Sequence, residues 1–544
     1  MRRTTLSAAG SLSAACALAK ARGARCAGLA PAVSALALAL SVGLSSCAVG
    51  PGYHAPKQDL PPTFEAAAPP RADAGNTAPA RAAPAIDEQL ASWWRSLGDS
   101  ELDSLVDRAI QANPDLEIAL TRLQQARTYE VEILGHALPD VAATAGEGRG
   151  TGSDLTRGRA DQALRSGDNS AGLRQINTLA GFDAVWEIDL FGKYRRAFQA
   201  ARFDAQAAAA ARHNVIDTLV ADVVRAYFDM RGYQVQVGVL RQASAALRES
   251  LRIVQIRFDR GITNELDVAL ATRELNTLDA EIAPEEAQVS AAQNALAVLV
   301  GEFPETIAKE LNTPGLIPTL PEPVAPGAPL DLLRRRPDIR QAERTLAAAR
   351  ARIGVATADL FPQVALVGSI GAQQGELPGT TQTAGKHIWS FGPGAIWPLL
   401  DFGALDAQVD IADLETHADL VSYRKTVLNA VREVDDALEG YSSQEARMGA
   451  LGLAMLAAQR AVELATARYN RGLTDYLNVV DAEREYYGIQ NQYVTAQIAA
   501  AEQFVQLYRS LGGGWQNYQG VPAIRQPQPA VIAAVRRLLS GTAD

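Results

Sequence analysis

Apolar residues recur at alternating intervals of four and three along two very long stretches of the chain, and the two stretches share one pattern. Ile216, Val220, Val223, Tyr227 and Met230 form the first stripe, and Val427, Val431, Val434, Leu438 and Tyr441 form the second. Such spacing predicts coiled-coil seams, which are packed core with no site in it. No proline interrupts Lys193 to Arg257 or Ala404 to Arg468, and 65 residues of helix (257−193+1) would reach about 100 Å. Each stretch then meets Arg260-Gly261 or Arg471-Gly472, where glycine can take the left-handed conformation that stops a helix. Thr263 and Thr474 follow as the expected caps of the next helix, so two helical hairpins with tight tips are predicted.

The duplication extends beyond the tips. Asn113-Pro114-Asp115-Leu116 returns as Arg336-Pro337-Asp338-Ile339, and Leu138-Pro139 as Phe361-Pro362, at a spacing of 223 (337−114). Trp186 matches Trp397, Phe191-Gly192 matches Phe402-Gly403 and Arg257 matches Arg468, at 211 (397−186). One unit therefore occurs twice, differing by a 12-residue indel (223−211) that falls in the Gly-rich piece Gly146 to Gly172, a loop by composition.

Shorter elements frame the hairpins. Ser100 to Ala112 reads as an amphipathic helix with Leu102, Leu105, Val106 and Ala109 on one face and Ser100 as its cap. Pro114 and Pro337 suit the first turn of the helices that follow, where a missing N–H costs little. Strand signals occupy Pro139 to Ala145 with Ile176 to Asp189, and Pro362 to Gly368 with Ile388 to Leu400, as two pairs. Four strands cannot close a barrel, and open edges are not viable in lipid, so a membrane-spanning role requires several copies of the chain.

The N-terminus carries a leader. Arg2, Arg3, Lys20, Arg22 and Arg25 precede an apolar run from Ala27 to Leu44, which ends in Leu44-Ser45-Ser46-Cys47. This resembles a bacterial lipobox and implies cleavage before Cys47 and its acylation. A signal anchor is the alternative, since 18 residues (44−27+1) could just span a bilayer. Ala48 in place of Asp favours the outer membrane, by resemblance to sorted lipoproteins. Cleavage removes Cys16 and Cys26, so no internal disulfide is possible. It also removes those five basic residues, taking the formal charge from -10 to -15 (−10−5), and no basic nucleic-acid footprint remains. Pro51 to Pro84, rich in Pro and Ala, reads as an extended linker.

Five motifs in order carry a resemblance to the TolC-like outer-membrane efflux family, in its NodT or RND-type lipoprotein branch. They are Trp94-Arg95 with Leu102, Leu105 and Asn113 to Leu116; Trp186 to Gly192; Asp331 to Ile339; Arg468 to Asp481; and Leu511 to Trp515. The resemblance implies a mainly α fold with a small β part: duplicated helical hairpins plus four strands per chain, assembled as a trimeric α-barrel under a 12-stranded β-barrel. It implies six regions: a signal peptide at 1–46, a lipidated linker at 47–90, a first repeat at 91–303, an equatorial connection at 304–328, a second repeat at 329–515 and a tail at 516–544. The expected partners are two further copies, a periplasmic adaptor (membrane fusion) protein, an inner-membrane RND pump and outer-membrane lipid, with no cofactor and no nucleic acid. The expected function is the outer-membrane exit duct of a tripartite efflux system, anchored at Cys47 and extending into the periplasm.

The resemblance also assigns residues. Asp481 matches a carboxylate facing the lumen at the closed end, and Asn478 stands where some members have another acid. Asp267 and Tyr469 match the polar latch between tips, and Thr474 replaces a basic tip residue of some members. Arg257, Arg260, Gly261, Thr263, Arg468, Arg471, Gly472 and Thr474 make up the tips expected to meet the adaptor. The plainer reading of Asp481 and Asp267 is that they are solvated helix positions. An enzyme finds no support: the five histidines lack metal-ligand spacing, and no G-x-S-x-G or H-E-x-x-H occurs. Gly148 to Ser153 is Gly-rich without a following helix. Only Met230, Met448 and Met455 follow the leader, too few to suggest a relay for copper or silver. The competing readings are a type I protein-secretion duct, which shares the fold, and a structural coiled-coil lipoprotein, against which the paired strands argue.

Overall fold

The computed structural model describes residues 48–58, 60–64, 88–150, 175–322, 327–376 and 383–520. Its helices are α1 (Ser100–Ala112), α2 (Pro114–His136), α3 (Lys193–Asp259), α4 (Glu265–Val300), α5 (Pro304–Glu310), α6 (Pro329–Arg335), α7 (Pro337–Ala358), α8 (Ala404–Asn470) and α9 (Leu477–Ser510). Its strands are β1 (Asp140–Gly150), β2 (Gln175–Ile188), β3 (Gln363–Glu376) and β4 (Thr383–Ile396). The hairpins are α3–α4 and α8–α9, and α3 and α8 are each 67 residues long, as the uninterrupted sequence pattern requires.

Both seams pack where the 4-3 spacing puts them. Ile216, Val220, Val223, Tyr227 and Met230 are fully buried, and Val427, Val434 and Tyr441 join them in one core with Val431 and Leu438 at its margin. Trp93 stacks on Tyr508 with ring centroids 5.0 Å apart, and Phe504 and Trp515 complete an aromatic belt at mid-height. α1 docks there through the four residues its periodicity marked, Leu102, Leu105, Val106 and Ala109. Its cap, however, is Asp99 and not Ser100: Asp99 Oδ1 accepts from Glu101 N at 2.9 Å and from Leu102 N at 3.3 Å. Ser100 is already helical, one residue too late to receive those N–H groups.

The strands depart from expectation in two ways. They form one antiparallel sheet in the order β1-β2-β3-β4, so β2 pairs with β3 and joins the two repeats. β1 also runs on through Gly146–Gly150, in the stretch read as loop, because the ladder to β2 satisfies its backbone even where side chains are absent. At the lower end of each pair a tryptophan fastens the sheet to the preceding helix. Trp186 donates to the Ala137 carbonyl at 3.1 Å and Trp397 to the Leu360 carbonyl at 3.0 Å, which are equivalent positions in the two repeats.

Residues 48–58, within the stretch read as a linker, form no helix or strand and lie against the body. Val49 N donates to the Phe191 carbonyl, and Arg196 holds the Val49 and Gly50 carbonyls at 3.0 and 2.9 Å. Gly50 has φ 85, and a Cβ there would come within 2.5 Å of the Gly354 Cα, so this contact admits only glycine. The 304–328 connection contains a short helix, α5, whose Ile307 is fully buried.

Candidate functional site

Both tips are built as the Arg-Gly pattern requires. Gly261 has φ 66 and Gly472 has φ 72, and in each the next residue reaches back to the arginine carbonyl. Ile262 N donates to Arg257 O at 2.9 Å, and Leu473 N donates to Arg468 O at 3.0 Å. The threonines do not cap. In the first tip Asn264 is the cap, its Oδ1 accepting from Asp267 N at 3.1 Å, while Thr263 donates its hydroxyl to the Asp267 carboxylate. In the second tip α9 starts after Tyr476 with no side-chain cap, and Thr474 accepts from Asn478 Nδ2 at 2.8 Å. Thr263 and Thr474 sit too far ahead of the first helical residues to reach their N–H groups.

The two hairpins meet just above these turns. Val254 and Ala271 from the first pack against Tyr469, Tyr476, Val479 and Val480 from the second. The Tyr469 and Tyr476 rings are 5.2 Å apart. The Arg257 guanidinium lies 4.4 Å from the centre of the Tyr469 ring and donates to its carbonyl at 3.3 Å. Tyr476 shares a 2.8 Å hydrogen bond with Ser250, and burial pushes its phenol up to about 12. Burial also raises the Tyr469 phenol, opposed by Thr263 and Arg257 beside it.

Asp267 and Tyr469 are therefore both buried in one neighbourhood, Asp267 bonded to Thr263 and Tyr469 covered by Arg257. Asp481 and Asn478 are exposed on α9, as are Arg260, Gly261, Arg468, Arg471 and Gly472 at the turns. Cys47 lies outside the described residues. Among the described residues no group of three or more His, Cys, Asp or Glu side chains is placed to hold a metal.

Sequence reasoning missed Glu483 and Glu274, two carboxylates buried where α9 faces α4. Both continue an apolar stripe at helical spacing, Val479-Val480-Glu483 and Ala271-Glu274-Leu275, and that is the signal that could have found them.

The sheet above the tips sorts its side chains by face. One cross-strand row holds Ala143, Phe182, Ile370 and Trp389, and the next row on that face holds Val141, Ala184, Gly368 and Phe391. The opposite face carries Ala142, Asp183, Ser369 and Ser390, with Thr144 bonded to Asp183 at 2.9 Å and Ser369 to Ser390 at 2.8 Å. No strand residue with a described side chain is buried, so neither face packs on the protein core.

Comparison with known proteins agrees with this architecture. Nodulation protein T of Rhizobium leguminosarum bv. viciae is 30% identical over 496 residues, covering 90% of this chain and 95% of that protein. Outer membrane protein OprJ of Pseudomonas aeruginosa is 30% identical over 487 residues, covering 89% and 96%. The solved outer-membrane channel OprN superposes with a TM-score of 0.74 at 32% identity, covering 86% of this chain and 100% of that one. The family model for outer membrane efflux proteins matches residues 105–302 and 328–513, one match to each repeat, and with it the chain belongs to the outer membrane efflux protein family.

Proposed function

We propose that this chain is the outer-membrane exit duct of a tripartite efflux system. Three copies, each giving four strands, would close a 12-stranded barrel (3×4), and their hairpins would continue as a tube through the periplasm. The observation that carries the reading is the sheet. Its apolar row from Ala143 to Trp389, with Trp389 78% exposed, suits lipid, and its Asp-Ser-Ser row suits a water-filled lumen. Such a sheet with two open edges is stable in a bilayer only if other copies close it.

In this reading the tips end the tube. They meet a periplasmic adaptor and, beyond it, an inner-membrane RND pump, while acylated Cys47 holds the chain at the outer membrane. Residues 48–50, pinned at the junction of β2 and α3, support that anchor position. Asp481, exposed and repeated three times about the axis, would draw cations to the closed end. A protein-secretion duct would use the same geometry; the family description and the relatives favour efflux. No catalysis is proposed.

Planar-bilayer recording tests the reading. Asp267→Ala with Tyr469→Phe should raise single-channel conductance, because losing the Thr263–Asp267 hydrogen bond beside Tyr469 weakens the tip by about 1 kcal/mol. Asp481→Asn should lower cation selectivity instead. If both variants conduct and select as the parent does, these residues are solvated or structural helix positions and the gate lies elsewhere.

A further inference from the structure

Glu483 on α9 is 8% exposed, and its buried Oε2 has no hydrogen-bond partner. Glu274 on α4, 9% exposed, is the carboxylate facing it from the other hairpin. The cation beside Glu274 is Arg273, 3.5 Å away and more than half exposed. Other titratable groups close the pocket. Tyr476 lies at the start of α9, Tyr487 lies one turn along α9, and Asp267 lies on α4 toward the tip. α3 presents Ser250, which is bonded to Tyr476. Arg484, next in sequence to Glu483, is exposed.

Glu274 has Arg273 beside it, so the unpaired oxygen is that of Glu483, and it needs a proton or a cation. A divalent ion takes six or more oxygens, far beyond what two side chains supply. A proton needs only Glu483 itself. We propose that Glu483 holds a proton at the boundary between the hairpins, where Glu274 faces it, and that release of this proton loosens the second hairpin from the first. Burial first, and the Glu274 charge second, raise the Glu483 carboxyl from its ordinary 4.5 to about 7. A group raised in the packed state and ordinary when exposed stabilises packing fully below about 4.5. That stabilisation is lost as the pH climbs to about 7. The coupling to opening rests on the tip being the gate; the proton site does not.

Infrared difference spectroscopy of the detergent-solubilised parent decides the site. Beside the bands of Asp217 and Asp229, which are also raised and unchanged in every variant, one protonated-carboxyl band should titrate near pH 7, be lost in Glu483→Gln, persist in Asp481→Asn and move its midpoint toward 4.5 in Glu274→Gln. A parent-minus-Glu483→Gln difference with no band titrating above the ordinary carboxyl range overturns it. Bilayer recording decides the coupling: parent conductance should rise across this window and that of Glu483→Gln should stay low and flat. A Glu483→Gln profile that follows the parent overturns the coupling. Conductance indifferent to pH and to Asp267→Ala alike overturns the gate reading instead, and the infrared titration still decides the proton site.

Discussion

α3 and α8 come from one repeated unit and have the same length, yet α3 buries 27 of its residues and α8 buries nine. The difference follows from their neighbours. α3 runs through the middle of the chain, against α1, α2, α4, α7 and α9, whereas α8 packs mainly on α6, α7 and α9 and meets α3 near the tip through Tyr469. On its outer side α8 exposes Ile411, Leu414, Val421 and Leu428, spaced 3-7-7 like a second seam with nothing upon it. The junctions above the helices differ in the same sense. Phe191 is stacked on Phe361 at 4.7 Å beside the pinned N-terminal segment, while its counterpart Phe402 has φ 55 and is 99% exposed. One repeat is finished within the chain, and the other leaves the exposed stripe that the proposed trimer would cover.

The widest contrast is expected at equivalent core positions. Phe228 on α3 is fully buried, and the position 211 residues on is the exposed Glu439. Phe228→Ala should cost about 3–5 kcal/mol in denaturant unfolding, and Glu439→Ala less than about 0.5 kcal/mol. Equal costs would mean that the repeats are packed alike after all.

At the tips the repeats should behave alike in one respect and apart in another. Gly261 and Gly472 both hold positive φ with open space around the missing Cβ, so a valine at either meets backbone strain alone. Gly472→Val and Gly261→Val should each cost about 1–3 kcal/mol and lower cross-linking to the adaptor. Normal cross-linking of both would show that tip shape is not what the partner reads. Capping separates them. Asn264→Ala should cost about 1 kcal/mol because it removes a real cap, whereas Asp475→Ala, at the equivalent position, has no cap to lose and should stay within about 0.5 kcal/mol. Thermal unfolding of the two variants side by side measures the gap.

Much of this was legible because it depends on local pattern. The absence of proline fixed the long helices, the 4-3 apolar spacing fixed their seams, and Arg-Gly fixed the turns. What escaped depends on one-residue geometry or on distant partners. Asp99 and Asn264 displaced the expected caps because a side-chain oxygen works only at the residue flanking the helix. β2–β3 pairing joins strands from different repeats, which no pattern within either strand records. Glu483 continues an apolar stripe in the sequence, but that α4 brings Glu274 to face it is recorded only in the fold.

Whether the unfinished repeat is completed by copies of the same chain is settled by counting chains. Native mass spectrometry of the mature protein released from detergent micelles should give three chains per particle, each carrying acyl groups at Cys47. Leu428→Asp should shift the population toward single chains, since Leu428 is 68% exposed on one chain and would be covered in the proposed trimer. A parent that flies as a monomer, with the α8 stripe and both sheet edges uncovered, would contradict the barrel and the duct together.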